Sequence, residues 1–247
     1  MDKPVFTKAK HFFLELFFPS FCLGCSKEGV LLCYDCRSIL EISEYHYCLC
    51  GNNPLRLPPE SRQGKCSRCQ DKKLTGLYSA LSYKEKFLTR KLIRQFKYEP
   101  YYLKTLSKTL ADILLEHLFL AKKLTPEIWE KSIIIPVPLE KGKWKDRGYN
   151  QSELLGQEIG QALNVPLLLG NLIKIKKTDS QMKLKAKDRE ENVREAFKVK
   201  NPVEFAGKKV FLVDDVYTTG STMEECARVL RNAGAKSVWG IIVAREG

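Results

Sequence analysis

Eight cysteines fall between Cys22 and Cys69, as Cys22-x2-Cys25, Cys33-x2-Cys36, Cys48-x-Cys50 and Cys66-x2-Cys69. No other feature restricts the fold of this segment as strongly. One tight turn can present two closely spaced thiolates to a single tetrahedral zinc ion, and two such turns complete a four-thiolate site. The four pairs therefore predict one or two structural zinc sites. Closely spaced cysteines can also form a disulfide framework, but that belongs to exported domains. The opening stretch MDKPVFTKAKHFFLELFFPSF does not read as an export signal, because Glu15 interrupts its apolar run and no small-residue cleavage site follows. It predicts a short amphipathic helix stopped near Pro19, with Phe12, Phe13, Leu16 and Phe17 facing the zinc module, a membrane surface or a partner. Thiolates that bind metal in a chain without a leader predict a cytoplasmic protein.

Which cysteines share an ion depends on how the pairs combine. Sequential pairing puts Cys22, Cys25, Cys33 and Cys36 on one ion and Cys48, Cys50, Cys66 and Cys69 on a second; a cross-braced arrangement interleaves them. The short gap between Cys25 and Cys33 suits a small closed loop and favours the sequential scheme. Cys48-x-Cys50 is tighter than the usual knuckle, and His46 beside it is an alternative ligand. Cys226 stands alone inside a helical pattern and reads as a small buried hydrophobe.

The chain of 247 residues is 44% hydrophobic and 29% charged, so it can bury a core, and no apolar run reaches the length of a membrane-spanning helix. A net charge of +13 favours polyanionic partners. Composition changes near residue 76, which predicts a zinc module with its helix over 1–76 and a second domain over 77–247. There strand-like and helix-like stretches alternate: strands at 77–83, 132–135, 172–175, 209–213 and 238–243, and helices at 86–98, 102–120, 151–163 and 222–232. This order predicts an α/β domain with a mainly parallel sheet flanked by helices.

Function is most legible in Val210-Phe-Leu-Val-Asp214-Asp215-Val216-Tyr217-Thr218-Thr219-Gly220-Ser221-Thr222. An apolar strand leads into two acids, a turn of hydroxyl residues with one glycine, and a helix. Turn amides, hydroxyls and the helix N-terminus can surround a phosphate, and glycine lets the backbone approach it. Carboxylates do not favour a phosphate beside them but accept hydrogen bonds from sugar hydroxyls, so the local chemistry reads as a ribose 5-phosphate site. Neither a Walker A motif nor a Rossmann glycine fingerprint is present.

These residues resemble the signature of type I phosphoribosyltransferases, which bind 5-phosphoribosyl 1-diphosphate (PRPP). The cysteine pairs, Phe96-Lys97-Tyr98, Pro136-Val137-Pro138, Arg147-Gly-Tyr-Asn-Gln151 and the run from Thr178 through Gln181, Arg189, Asn192 and Phe197 extend the resemblance to the competence protein F (ComF) family. The resemblance implies a double zinc ribbon followed by a phosphoribosyltransferase fold. It implies that Asp214 and Asp215 hold the ribose hydroxyls and Thr218–Thr222 the 5-phosphate, while Pro136, Val137, Pro138, Lys141, Arg147 and Asn150 serve the diphosphate with Mg²⁺. It further implies transfer of the phosphoribosyl group to an unidentified acceptor, and a role in natural transformation with single-stranded DNA and other competence proteins as partners. Transferases of this fold often pair, so an oligomer is an expectation. The alternative is a binding protein without turnover, in which the transferase fold senses a ligand or serves as a scaffold.

Two readings stay open beside these. Asn150 is placed to cap the helix that follows it. Lys174–Arg194, highly charged and short of large apolar residues, matches either a lid over the site or a solvated loop. Finally, Lys84, Lys86, Arg90, Lys91, Arg94 and Lys97 with Phe87, Phe96 and Tyr98 form a basic, aromatic stripe suited to single strands.

Overall fold

The computed structural model describes residues 19–51, 53–58, 61, 64–83, 87–98, 103–176 and 191–246. The expected N-terminal helix and the middle of the 174–194 segment lie outside these residues, as do Lys84 and Lys86 of the basic stripe and Thr178, Gln181 and Arg189. The chain folds as two compact units that divide between Glu41 and Ile42.

In the smaller unit, Phe21 bridges Glu28 and closes a loop around the first cysteine pair. Helix α1 (Tyr34–Ser38) follows, with the Cys33 sulfur capping it by accepting from the Cys36 amide. The larger unit holds a six-stranded sheet in the order β2-β1-β3-β8-β7-β4. Its short edge strands are β1 (His46–Tyr47) and β2 (Arg56–Leu57). The longer strands are β3 (Gly76–Ser82), β8 (Ser237–Arg245), β7 (Lys209–Tyr217) and, at the opposite edge, β4 (Ser132–Pro136). Strands β3, β8, β7 and β4 pair in parallel, and β1 joins β3 antiparallel through Tyr47 and Leu77. A separate antiparallel pair, β5 (Leu172–Lys174) and β6 (Phe197–Val199), flanks the segment outside the described residues.

The parallel strands carry unbroken apolar runs because helices cover both of their faces. Val210, Phe211, Leu212 and Val213 are all buried. Helices α2 (Phe87–Lys97), α3 (Leu106–Leu120), α6 (Gln151–Leu163) and α7 (Ser221–Asn232) supply the cover; α4 (Pro126–Trp129) and α5 (Lys141–Arg147) are short connectors that the apolar spacing does not reveal. Helices α2 and α3 bury the faces their spacing predicts, Leu88, Leu92, Ile93 and Phe96 in α2 and Leu106, Leu110, Ile113 and Leu114 in α3. Cys226 is fully buried in this core, as expected.

One difference bears on the site. The strand expected to end at Val213 continues through both acids to Tyr217, because β8 keeps pairing with it as far as Arg245. The acids therefore stand on a rigid strand and not on a loop.

Candidate active site and metal centres

The eight clustered cysteines gather in sequence order. Cys22, Cys25, Cys33 and Cys36 form one group and Cys48, Cys50, Cys66 and Cys69 the other, with all sulfurs of a group within 4.8 Å of one another. All are free thiols. Tetrahedral zinc with bonds of about 2.3 Å sets its sulfurs roughly 3.8 Å apart. The Cys25–Cys33, Cys50–Cys66 and Cys66–Cys69 separations of 3.5, 3.6 and 3.8 Å fit that spacing. Backbone amides point at the sulfurs, as they do around thiolates: Cys33 N–H donates to Cys22 Sγ at 3.3 Å, and Leu55 N–H to Cys48 Sγ at 3.1 Å. The crowding splits the thiols. Burial opposes ionisation of Cys22 and Cys66, but amide and sulfur hydrogen bonds pull both down to about 6. Burial and their neighbours push Cys36 and Cys50 up to about 12. A divalent cation is what lets four such thiols ionise together, so both groups fit structural zinc. His46 is not part of either group. The pairing of β1 with β3 turns its ring onto Tyr78 and Trp239, at centroid distances of 5.6 and 5.7 Å.

At the carboxyl ends of β4 and β7 lies a cavity of about 490 Å³. This is where open α/β sheets bind ligands. Asp215 is 3% exposed, and Lys97 grips its carboxylate, with the ammonium 2.9 Å from Oδ1 and 2.8 Å from Oδ2. Burial works against the Lys97 charge, yet Asp215, Tyr98 and Asp214 hold its pKa above the usual lysine value. Asp214 accepts from Ser152 Oγ at 2.9 Å. Loss of water, reinforced by the Asp215 charge, pushes its carboxyl up to about 7.

After Tyr217 the chain turns into α7 through Gly220, whose φ of +81° is left-handed. Only glycine fits there: a Cβ would lie 2.2 Å from the Tyr217 hydroxyl. Thr218, Gly220, Ser221 and Thr222 line the cavity together with Val137, Pro138, Arg147 and Asn150. Two sequence candidates are placed otherwise, and a third is not described at its side chain. Thr219 turns to Ser221, with their hydroxyl oxygens 2.8 Å apart, and shapes the turn from within. Pro136 ends β4 and lines a second, mainly apolar cavity of about 390 Å³. Lys141 opens α5, and its side chain lies outside the described residues.

Asn150 caps α6 by accepting from Ser152 N–H at 3.1 Å and donates to the Val137 carbonyl at 3.1 Å. The cap thus ties the helix to the backbone of the Pro136–Pro138 segment. Arg147 donates to Gln151 at 3.0 Å and lies over the Tyr98 ring at 5.3 Å. Lys143 and Lys174 also line the cavity. Burial first and neighbouring positive charge second lower the pKa of both, against the pull of Glu140, so a polyanion entering here would favour their charged forms. Sequence reasoning overlooked Ser152 and put Lys97 on a solvent-facing stripe. The signal for Ser152 was its place two residues after Asn150, in the first turn of the capped helix.

Residues 151–246 match the phosphoribosyl transferase domain family. The chain is 39% identical to competence protein F of Haemophilus influenzae over 155 residues, 61% of this chain and 66% of that protein, just under two thirds of its length. It is 30% identical to the DNA utilization protein YhgH of Salmonella typhimurium over 219 residues, 84% of this chain and 93% of that one. Competence protein ComFC of Bacillus subtilis is 27% identical over 213 residues, 82% of this chain and 79% of that one. Among solved structures, the glutamine PRPP amidotransferase from B. subtilis superposes over 61% of this chain and 30% of its own at 21% identity, with a TM-score of 0.40, too partial a likeness to bear on function. Because the alignment spans nearly all of the Salmonella protein, and because residues 151–246 of this chain match the phosphoribosyl transferase domain, the chain belongs to the competence protein F (ComF) family.

Proposed function

We propose that the chain binds PRPP with Mg²⁺ in the 490 Å³ cavity and transfers its phosphoribosyl group. The observation that carries this reading is the pair Asp214–Asp215 on a rigid strand, followed by a hydroxyl-rich turn at a helix N-terminus and faced by Lys97, Lys143, Arg147 and Lys174. In this reading the turn amides and hydroxyls of Thr218–Thr222 take the 5-phosphate, with the α7 dipole in favour. The two carboxylates accept from the ribose hydroxyls. The Pro136–Pro138 backbone, held by Asn150, and the basic side chains take the diphosphate. Mg²⁺, when bound with PRPP, would supply charge neutralisation on the leaving group. The acceptor's nucleophilic atom bonds C1 as pyrophosphate departs with the C1–O electron pair, through an oxocarbenium-like state, and the chain contributes position and electrostatics. Removing one charge contact such as Arg147 is expected to cost about 10²-fold in rate.

The names of the relatives, competence protein and DNA utilization protein, support a role in competence or DNA use; a cytoplasmic setting in natural transformation with single-stranded DNA as partner completes the proposal. No helix among the described residues is long and apolar enough to cross a membrane. Within this setting we read 1–76 as the segment that carries both cysteine clusters and 77–247 as the transferase-like domain, although the compact units divide earlier, between Glu41 and Ile42, because β1 pairs into the sheet with β3. The test is calorimetric titration of zinc-loaded protein with PRPP and Mg²⁺. Wild type is expected to bind and Asp214→Asn/Asp215→Asn to lose binding while staying folded. A folded wild type that takes up no PRPP overturns the assignment.

A second reading, a DNA-handling protein that senses PRPP without consuming it, is favoured by one face of α2. There Phe87, Arg90 and Arg94 are exposed at helical spacing, with Phe87 74% accessible. It predicts salt-dependent single-strand binding that PRPP shifts, with no pyrophosphate released.

A further inference from the structure

The three consecutive carbonyls of Cys48, Leu49 and Cys50 all hold side chains from the ends of β7 and β8. The Arg245 guanidinium, 6% exposed, donates to Cys48 O at 3.0 Å and to Cys50 O at 2.7 Å. The Tyr217 hydroxyl reaches Leu49 O at 3.4 Å. Tyr217 and Arg245 are register partners across the two strands, and the guanidinium lies over the Tyr217 ring at 5.6 Å. The same hydroxyl lies against Gly220, the left-handed residue on which the phosphate turn pivots. A second link runs from the other end of the turn. Glu224, in the first turn of α7, accepts from the backbone amides of Lys73 and Leu74, a few residues after Cys69. Its own amide donates to Gly220 O at 2.8 Å.

We propose that the second cysteine cluster is the positioning element of the phosphate turn: Arg245, Tyr217 and Glu224 transmit the shape of the Cys48–Cys50 and Cys66–Cys69 knuckles to residues 218–222. The cluster fits zinc, and a tetrahedral ion would lock both knuckles at once. Loss of the ion frees the three carbonyls to move, and the turn then loses its floor at Tyr217 and its brace at Glu224. The guanidinium fork suits this task, since two nitrogens on one rigid plane hold the two carbonyls at fixed spacing and direction, whereas a lysine ammonium would have to serve both from a single nitrogen on a flexible stem. The same coupling acts in reverse, so a phosphate ligand on the turn tightens the cluster. The functional consequence rests on the phosphate-binding reading above; the mechanical coupling does not.

Hydrogen exchange on the full chain tests the coupling without a ligand. Cys50→Ser/Cys66→Ser, in which the second cluster cannot close on metal, is expected to exchange the amides of 218–222 about tenfold faster or more, while β4 amides stay protected. Cys22→Ser/Cys25→Ser is expected to leave the turn unchanged. Because the first variant can fail to fold, Arg245→Lys is the second arm. It is expected to keep its full zinc content and β4 protection yet loosen 218–222. Turn amides that exchange as in wild type in Arg245→Lys, with zinc retained, overturn the proposal. So does loosening that spreads equally to β4, which marks general destabilisation. On the same samples, PRPP with Mg²⁺ is expected to bind Arg245→Lys about tenfold more weakly, equivalent to roughly 1.4 kcal/mol. If wild type binds no PRPP, the proposed function fails, and the exchange data still decide the coupling.

Discussion

The two four-cysteine clusters use the same ligands at nearly the same spacing, and their surroundings differ in kind. The first closes a small loop within the unit that ends at Glu41, and its sulfurs are held by their own knuckle amides and α1. The second is built into the sheet: β1 runs directly into its first cysteine pair, β2 lies between its two pairs, β1 pairs with β2 and β3, and its carbonyls carry Arg245 and Tyr217 from the far end of the chain. Ligand chemistry alone therefore does not say what a metal site is for. A thiolate site stabilises whatever its carbonyls and flanking strands are bonded to, and here the second site is bonded to the transferase-like body.

The sharpest way to break this comparison is thermal. Cys48→Ser/Cys69→Ser removes two buried ligands, and structural zinc sites contribute folding free energy outright. The melting temperature of the larger unit is expected to fall by about 10 °C or more, since a body of this size loses roughly 2–4 °C per kcal/mol. Cys22→Ser/Cys36→Ser is expected to leave that transition within about 2 °C. Calorimetry with zinc counted per chain checks both, and equal shifts in the two variants erase the distinction.

A second test asks whether the cavity wall away from the cluster is stabilised independently. Lys97→Met leaves Asp215 buried and unpaired. Breaking a buried pair costs several kcal/mol, but Lys97 keeps 24% side-chain exposure, so about 2–3 kcal/mol is expected by urea denaturation. The deficit should be the same with the second cluster loaded or emptied, because Lys97 lies on α2 and not on the cluster side. Loss of additivity would join the two regions that this account separates.

A third substitution probes the junction itself. Gly220→Ala forces a side chain into left-handed backbone and against the fully buried Tyr217 ring. About 2 kcal/mol of destabilisation is expected, together with loss of PRPP affinity. Stability and affinity that both hold in Gly220→Ala would show the turn to be free of its Tyr217 floor.

Much of this arrangement is local in sequence and was legible there. Apolar spacing located the buried faces of α2 and α3, and the order of acids, hydroxyls and glycine at 214–222 located the turn. Paired thiols gave both clusters. What was hidden is non-local. Lys97 shares its helix with Arg90 and Arg94, and nothing in that spacing says that one cation turns inward to Asp215 while the others face water. The strand at 209–213 was cut short because acids read as a strand end, whereas pairing with β8 carries it on. Arg245 and Cys48 are nearly the length of the chain apart, so their bond has no signature in any window.

Taken per pH unit, the smallest expected effect is a pH dependence, and its sign separates the site from the β1 end of the sheet. Asp214 holds its proton to about 7 in the folded state, whereas an unfolded aspartate releases it near 4. Between those values the folded chain binds more protons, so this group makes stability fall as pH rises from about 4 to 7 and contributes no slope above. The groups acting on Asp214 are Asp215, which raises its pKa, and Lys97 and Ser152, which lower it. His46 works the other way. Buried against Tyr78 and Trp239 in β1, it is held down to about 4, so the unfolded chain takes up its proton first, and stability falls as pH drops through about 6.5. The two slopes oppose each other in wild type, so the readout is a difference. Asp214→Asn minus wild type isolates the acid, with a slope of at most about 1.4 kcal/mol per pH unit. His46→Phe minus wild type isolates the histidine, with the opposite sign. Both are read from urea midpoints between pH 4.5 and 8. A slope unchanged by Asp214→Asn would mean that the carboxyl is solvated and ionised throughout, and the cavity would then be wetter than its cation-lined walls imply.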